Sequence, residues 1–252
     1  MTYLDLDRDE LNREIVAACA RFVELLRALK PEDALLPVTG LVWDVGELAA
    51  HVLTVVRRGL GDCRRSDSPE ATAELNAIVL HETPERDIAR LADLIAQDND
   101  TMLTIAFPRV ADDRRFPFHA GTTTTIIPAM AIVLGEFTMH GYDIATATGH
   151  PWTIAPHTAA LIWKGCSDVF SGWLKPQAAP VNESYVLHFE GEPAPLSLVV
   201  REGTARVSFD IPAAPDYVLR VNPAEFIFYS PYQRRTPTDP SIARLISLFK
   251  TL

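Results

Sequence analysis

The sequence predicts an α+β chain in two parts, an up-and-down four-helix bundle followed by a small α+β unit. Three observations predict it. Apolar residues recur at intervals of three and four over four long N-terminal stretches. The Pro-containing run KPQAAPVNE then interrupts the pattern, and beyond it the period changes to two. The expected division is 1–175 for the bundle and 176–252 for the α+β unit.

The elements follow in order. From Asp7 to about Lys30, Leu11, Ile15, Cys19, Phe22, Val23, Leu26 and Leu29 form one apolar stripe, and Pro31 closes the helix. A second helix starts near Asp44, a good N-cap with Glu47 three residues on, and runs through His51 to about Leu60. Its stripe is Val45, Leu48, Val52, Val55 and Val56, with His51 at the border. A third runs from Pro84, suited to a first turn, to about Leu103. The stretch Phe107 to Thr125 is interrupted by Pro and then reads Gly-Thr-Thr-Thr-Thr, so it is extended or loop. The fourth helix, Ile127 to Thr148, stops at Gly149, and a further one runs from Pro156 to about Trp173. Alternation then marks strands at Tyr185–Phe189, Leu196–Val200, Val207–Ile211 and Val218–Val221, with Gly203 at a hairpin turn. Ile242, Leu245, Ile246 and Phe249 close the chain on an amphipathic helix.

Composition excludes several function classes. The 252 residues are 48% apolar and 22% charged with mean hydropathy +0.06, the profile of an ordinary soluble globular protein. A net charge of −10 and a pI of about 5.1 argue against a nucleic-acid surface, which needs clustered Lys and Arg. Arg57, Arg58, Arg64 and Arg65 form the one dense basic stretch, which reads as a solvated helix end. The start MTYLDLDRDE lacks the pattern of a secretory signal, so a cytoplasmic location is expected. Apolar runs fall short of the roughly 20 residues of a membrane span. Cys19, Cys63 and Cys166 are too few and too scattered for a disulfide framework or a thiolate zinc site. Cys63, followed by two Arg, is the one whose thiolate is favoured.

Glu136 and His140, four apart in GEFTMHGYDIATATGHP, lie on one side of the fourth helix. At 100° per residue, Ala129, Val133, His140, Asp143 and Ala147 fall within about 60° of Glu136. An inward carboxylate on so small and apolar a face requires a metal, a cation or a hydrogen-bonded network. His51, in LVWDVGELAAHVL, is a third candidate ligand, and two imidazoles with one carboxylate suit catalytic zinc with an open position. The spacing alone is not specific: about one Glu-x3-His or Asp-x3-His pair is expected by chance. Glu47 with His51 is a second, and there Glu47 reads as a solvated helix charge. His119 reads as a surface side chain or as an extra metal or substrate contact. Trp43 and Trp152 flank the two motifs as core aromatics or pocket walls.

WDVGELAAHVL resembles the first motif, and EFTMHGYDIATATGHPW the second, of the mycothiol-dependent maleylpyruvate isomerase group within the DinB-like helical superfamily. The resemblance implies a DinB-like bundle with a sterol-carrier-like C-terminal domain covering the site. It implies His51, Glu136 and His140 as ligands of a divalent metal, zinc above all, and mycothiol as thiol co-substrate acting on a small electrophile. The activity implied is S-transfer or isomerisation. Asp143 would stand behind the ligands, orienting an imidazole. Family members carry a Gly-Arg turn late in the second domain whose Arg faces the pocket. Here the stretch reads FIFYSPYQRR, so Arg234, or else Arg235, takes that role. Two other readings stay open: a zinc hydrolase using metal-bound water, and a non-enzymatic protein enclosing a small apolar ligand.

Overall fold

Capping side chains set the starts of several of the long helices. The computed structural model describes residues 3–251. In chain order α1 is Arg8–Ala28, α2 Val45–Gly59, α3 Pro69–His81, α4 Ile88–Thr101, β1 Phe116–Pro117, β2 Thr123–Thr124, α5 Ile126–Thr148 and α6 Pro156–Ser167. The second part has β3 Asn182–Phe189, β4 Leu196–Arg201, β5 Thr204–Ser208, β6 Tyr217–Val221, α7 Pro223–Phe226 and α8 Pro240–Ser247. Asp7 caps α1 by accepting the Glu10 amide at 2.8 Å. At α2, Asp44 accepts the Glu47 amide (2.8 Å) while the Glu47 carboxylate accepts the Asp44 amide (3.1 Å). Glu47 is thus spent on the cap, which removes it from any ligand set.

The bundle is the ring α1–α4–α2–α5, each helix packed on two others. Its helices are those expected from the sequence, and α6 packs on the outer side of α5. The second part is a mixed four-stranded sheet in the order β5-β4-β3-β6, antiparallel except for β3 and β6. Glu202 (φ 50°) and Gly203 (φ 71°) supply the two left-handed positions of the β4–β5 hairpin. One continuous apolar core joins helices and sheet. Trp163 of α6 is its anchor, meeting Phe170, Phe189 and Phe226 at 5.2–6.1 Å between ring centroids.

Several details differ from the sequence reading: β5 spans Thr204–Ser208 rather than Val207–Ile211, with Phe209 and Ile211 exposed beyond it, and the short α7 follows β6. Helix α3 was not expected: it buries only Val79 and Leu80, too thin a stripe to register, although Ser68 and Pro69 mark its start. Helix α4 begins at Ile88, because Asp87 caps it through the Arg90 amide, and it continues past Thr101 as a wide turn, Met102–Ala106. The Phe107–Thr125 stretch is largely loop, as expected, but holds the short β1–β2 ladder. Helix α6 stops at Ser167, and Phe170–Trp173 is a separate 3-10 turn.

Candidate metal centre

α2 and α5 cross inside the bundle and bring the two motifs together. Ligand atoms of His51, Glu136 and His140 all lie within 4.8 Å of one another. Glu136 Oε2 stands 3.1 Å from His140 Nε2 and 3.5 Å from His51 Nε2. Four ligands at 2.0–2.1 Å in a tetrahedron stand about 3.3–3.4 Å apart, so these separations fit a shared cation. Both imidazoles are buried, the Glu136 side chain nearly so. Yet Glu136 Oε2 has no aligned hydrogen-bond donor among the described residues. An orphaned buried carboxylate oxygen is costly unless something positive meets it.

The tautomer of His140 sharpens the point. Its Nδ1 lies 3.2 Å from Asp143 Oδ2. A carboxylate only accepts, so Nδ1 carries the proton and the neutral ring turns the Nε2 lone pair toward Glu136. In that neutral form two acceptors would face each other at 3.1 Å, an arrangement that a cation between them, or a second proton on His140, relieves. Asp143 in turn is held by Arg234, which donates from Nε and Nη2 at 3.1–3.4 Å. This is the carboxylate–histidine support that metal ligands commonly have. His51 is held differently: Trp43 stacks on its ring at 4.6 Å and 32°.

Charges in the metal-free chain follow from this packing. Burial pushes the Glu136 carboxyl up, but the His140 and His51 imidazoles outweigh it and hold the group well below the usual carboxylate range. Burial works against a charged His140, yet Asp143 and Glu136 beside it raise its pKa to about 9. His51 is lowered, because burial outweighs the help of Glu136. The cluster therefore rests with a proton on His140 where a divalent ion would supply the charge.

A cleft of about 410 Å³ opens beside Glu136, between α2, α5 and the Phe107–Thr125 stretch. His119 lines it and is buried at 6% exposure, not on the surface. It reaches Ser66 Oγ at 3.1 Å but does not join the three-ligand cluster. Burial lowers its pKa to about 4. Cys63 is exposed and lines the same cleft, while Cys19 and Cys166 are buried. Of the two late arginines, Arg234 reaches the centre through Asp143, whereas Arg235 lies 3.9 Å over the Phe228 ring. Neither lines the cleft. Trp152 does not wall it either; its ring packs where a Cβ on Gly141 would stand, and its Nε1 donates to the Thr138 carbonyl. Two cleft-lining residues that the sequence reading assigns to a solvated helix end are Arg58 and Arg65. For Arg58 the spacing from His51 is the available signal, since it lies two turns further along α2; Arg65, beyond the helix, offers none.

Fold and site together define a helical bundle with an inward His-Glu-His cluster, closed by a mixed α+β unit. Residues 15–145 match the family described as mycothiol maleylpyruvate isomerase N-terminal domain, and the chain belongs to that family. Among solved structures it is similar to a mycothiol-dependent maleylpyruvate isomerase, with 18% identity, 92% of each chain covered and a TM-score of 0.55. A histidine-to-alanine mutant of such an isomerase matches at 16% identity with the same coverage and TM-score. These likenesses bear on the fold. No curated protein matches the sequence. Among the described residues, no helix is long and apolar enough to cross a membrane.

Proposed function

We propose that this protein is a metal-dependent, mycothiol-using enzyme of the S-transferase or isomerase type, acting on a small electrophile in the cytoplasm. His51, Glu136 and His140 would hold a divalent metal, zinc being the ion that two imidazoles and a carboxylate suit best. The observation that carries the reading is the orphaned Glu136 oxygen between two imidazole nitrogens at the floor of a cleft. The name of the family supports mycothiol as the thiol.

When bound, the metal supplies the positive charge that keeps a thiol in its thiolate form at neutral pH. The chain's own residues do the rest. Asp143 keeps the His140 proton on Nδ1, so that Nε2 remains a donor atom. Arg234 fixes Asp143 and ties this support to the second part of the chain; we propose that 1–175 and 176–252 are two units joined in this way. Apolar walls from Val55, Ile132 and Val133 keep water from the nucleophile. Thiolate addition to a cis double bond, rotation and elimination gives isomerisation, whereas addition or displacement alone gives S-transfer.

The test is zinc quantification on wild type and His140→Ala, followed by thiol consumption with 1-chloro-2,4-dinitrobenzene as model electrophile. One zinc per chain, lost in the variant while the fold is kept, and turnover that requires mycothiol are expected. Turnover unchanged by omitting mycothiol would overturn the thiol chemistry.

A further inference from the structure

The cleft beside Glu136 has a cationic wall that holding a metal does not use. Arg58 donates from Nη2 to Asn76 Oδ1 at 2.6 Å, but its Nε is buried with no partner among the described residues. Arg65 donates from Nε and Nη1 to the carbonyls of Pro117, Asp62 and Arg64, keeps Nη2 without a partner and meets no carboxylate among the described residues. His119 is buried, and its Nε2 likewise has no partner there. Thr72 Oγ1 donates to the Ser68 carbonyl, so Ser66 Oγ donates to Thr72 and accepts from His119 Nδ1, which leaves Nε2 of the neutral ring as an acceptor.

The acids that share the cleft are already engaged. Asp62 is bound by Arg64 through Nε and Nη2, and Glu136 faces the two imidazoles. The two arginines bear on His119 electrostatically, both opposing its protonation. Two guanidinium groups paired with no carboxylate therefore line one cavity. Such donors suit an anion, because a guanidinium pairs with a carboxylate in a planar fork. The facing wall is apolar, with Val55, Phe116, Phe118 and Ile132. That wall suits an alkyl or aryl body and gives a compact polyacid nothing to bind.

Resting on the thiol-enzyme reading above, we propose that Arg58 and Arg65 form the subsite for the carboxylate head of an amphipathic acid. The electrophile that this enzyme takes is then a monocarboxylic acid whose apolar body lies along the Phe116–Phe118 wall, with its reacting carbon toward Glu136.

Calorimetric titration with octanoate, and with octanamide as its uncharged counterpart, tests the subsite on both zinc-loaded and chelator-stripped protein. Octanoate is expected to bind at least tenfold tighter than octanamide in both forms. Arg58→Gln and Arg65→Gln should each weaken octanoate at least tenfold and leave octanamide unchanged. Arg57→Gln, which loses the same charge beside the cleft but pairs with Asp98, should bind octanoate as wild type does. Equal affinities for octanoate and octanamide in the wild type, which need no variant to read, would overturn the proposal. So would octanoate binding that vanishes with the metal and ignores both arginines. Zinc content and mycothiol consumption are read on the same preparations. If those fail while the octanoate pattern holds, the subsite stands and the thiol-enzyme reading falls; if they hold while octanoate and octanamide bind alike, the subsite alone falls.

Discussion

Replacing Asp143 by Asn separates a support for the metal from a structural ion pair. The wild-type carboxylate joins His140 Nδ1 at 3.2 Å to Arg234 Nη2 at 3.1 Å, and its side chain is 3% exposed. Asn keeps the shape but loses the charge that both partners use. Removing the carboxylate behind a histidine ligand costs about 10–100-fold in metal affinity, or about 1.4–2.7 kcal/mol. Arg234, 12% exposed, would also lose its carboxylate. Breaking a buried pair costs about 3–5 kcal/mol; the lower end applies because Arg234 keeps its bond to the Tyr232 carbonyl. At about 2–4 °C per kcal/mol for a chain of this size, the melting temperature should fall by about 6–12 °C. Zinc affinity is read by competition with a chromophoric chelator, and stability by calorimetry in excess chelator. A lowered melting temperature with zinc affinity within about twofold of wild type would refute the reasoning, for Asp143 would then serve the fold alone.

Other outcomes follow from the same geometry. Zinc binding at pH 7 should release about one proton from His140, whose metal-free pKa is raised to about 9; titration enthalpies that do not vary among buffers of different ionisation enthalpy would contradict this. A folded pKa above the unfolded one adds stability that is fully present below about pH 6.5 and is lost as pH rises through about 9. Denaturant midpoints of the metal-free protein should therefore fall between pH 6 and pH 9.5, and His140→Ala should flatten that slope. Glu47→Ala should cost about 1 kcal/mol through the lost capping box and leave zinc affinity unchanged, whereas Glu136→Ala abolishes zinc binding; chelator titration and thermal melts of the two variants compare them. Gly141→Ala should destabilise by about 1–3 kcal/mol in denaturant titrations, since a Cβ there would meet the Trp152 ring at 2.2 Å.

Legibility of the fold tracked how much apolar surface each element buries. α1, α2 and α5 bury long stripes and were readable to within a few residues, as were the alternating strands. Helix α3 escaped because it lies on the surface with two buried side chains. The three candidate ligands were legible because a buried Glu on a small apolar face needs an explanation. The burial of His119, which the sequence offers as a surface side chain or an extra contact, was not, since a loop histidine carries no periodicity and its partner Ser66 comes from a distant segment. Arg58 and Arg65 were read as a solvated helix end for the same reason. A charge run looks alike in sequence whether water or a cleft receives it, and here the Phe107–Thr125 stretch folds back to make the cleft. Between Arg234 and Arg235 only packing decides: Arg234 turns to Asp143, and Arg235 lies over Phe228.

The most direct measurement is a crystal structure of zinc-soaked protein with anomalous data collected across the zinc edge. One anomalous peak within about 2.2 Å of an imidazole nitrogen of His51, an oxygen of Glu136 and Nε2 of His140 is expected, with a fourth position facing the cleft. No peak there at full zinc loading, or a peak bound by other side chains while these three keep their places, would contradict the account.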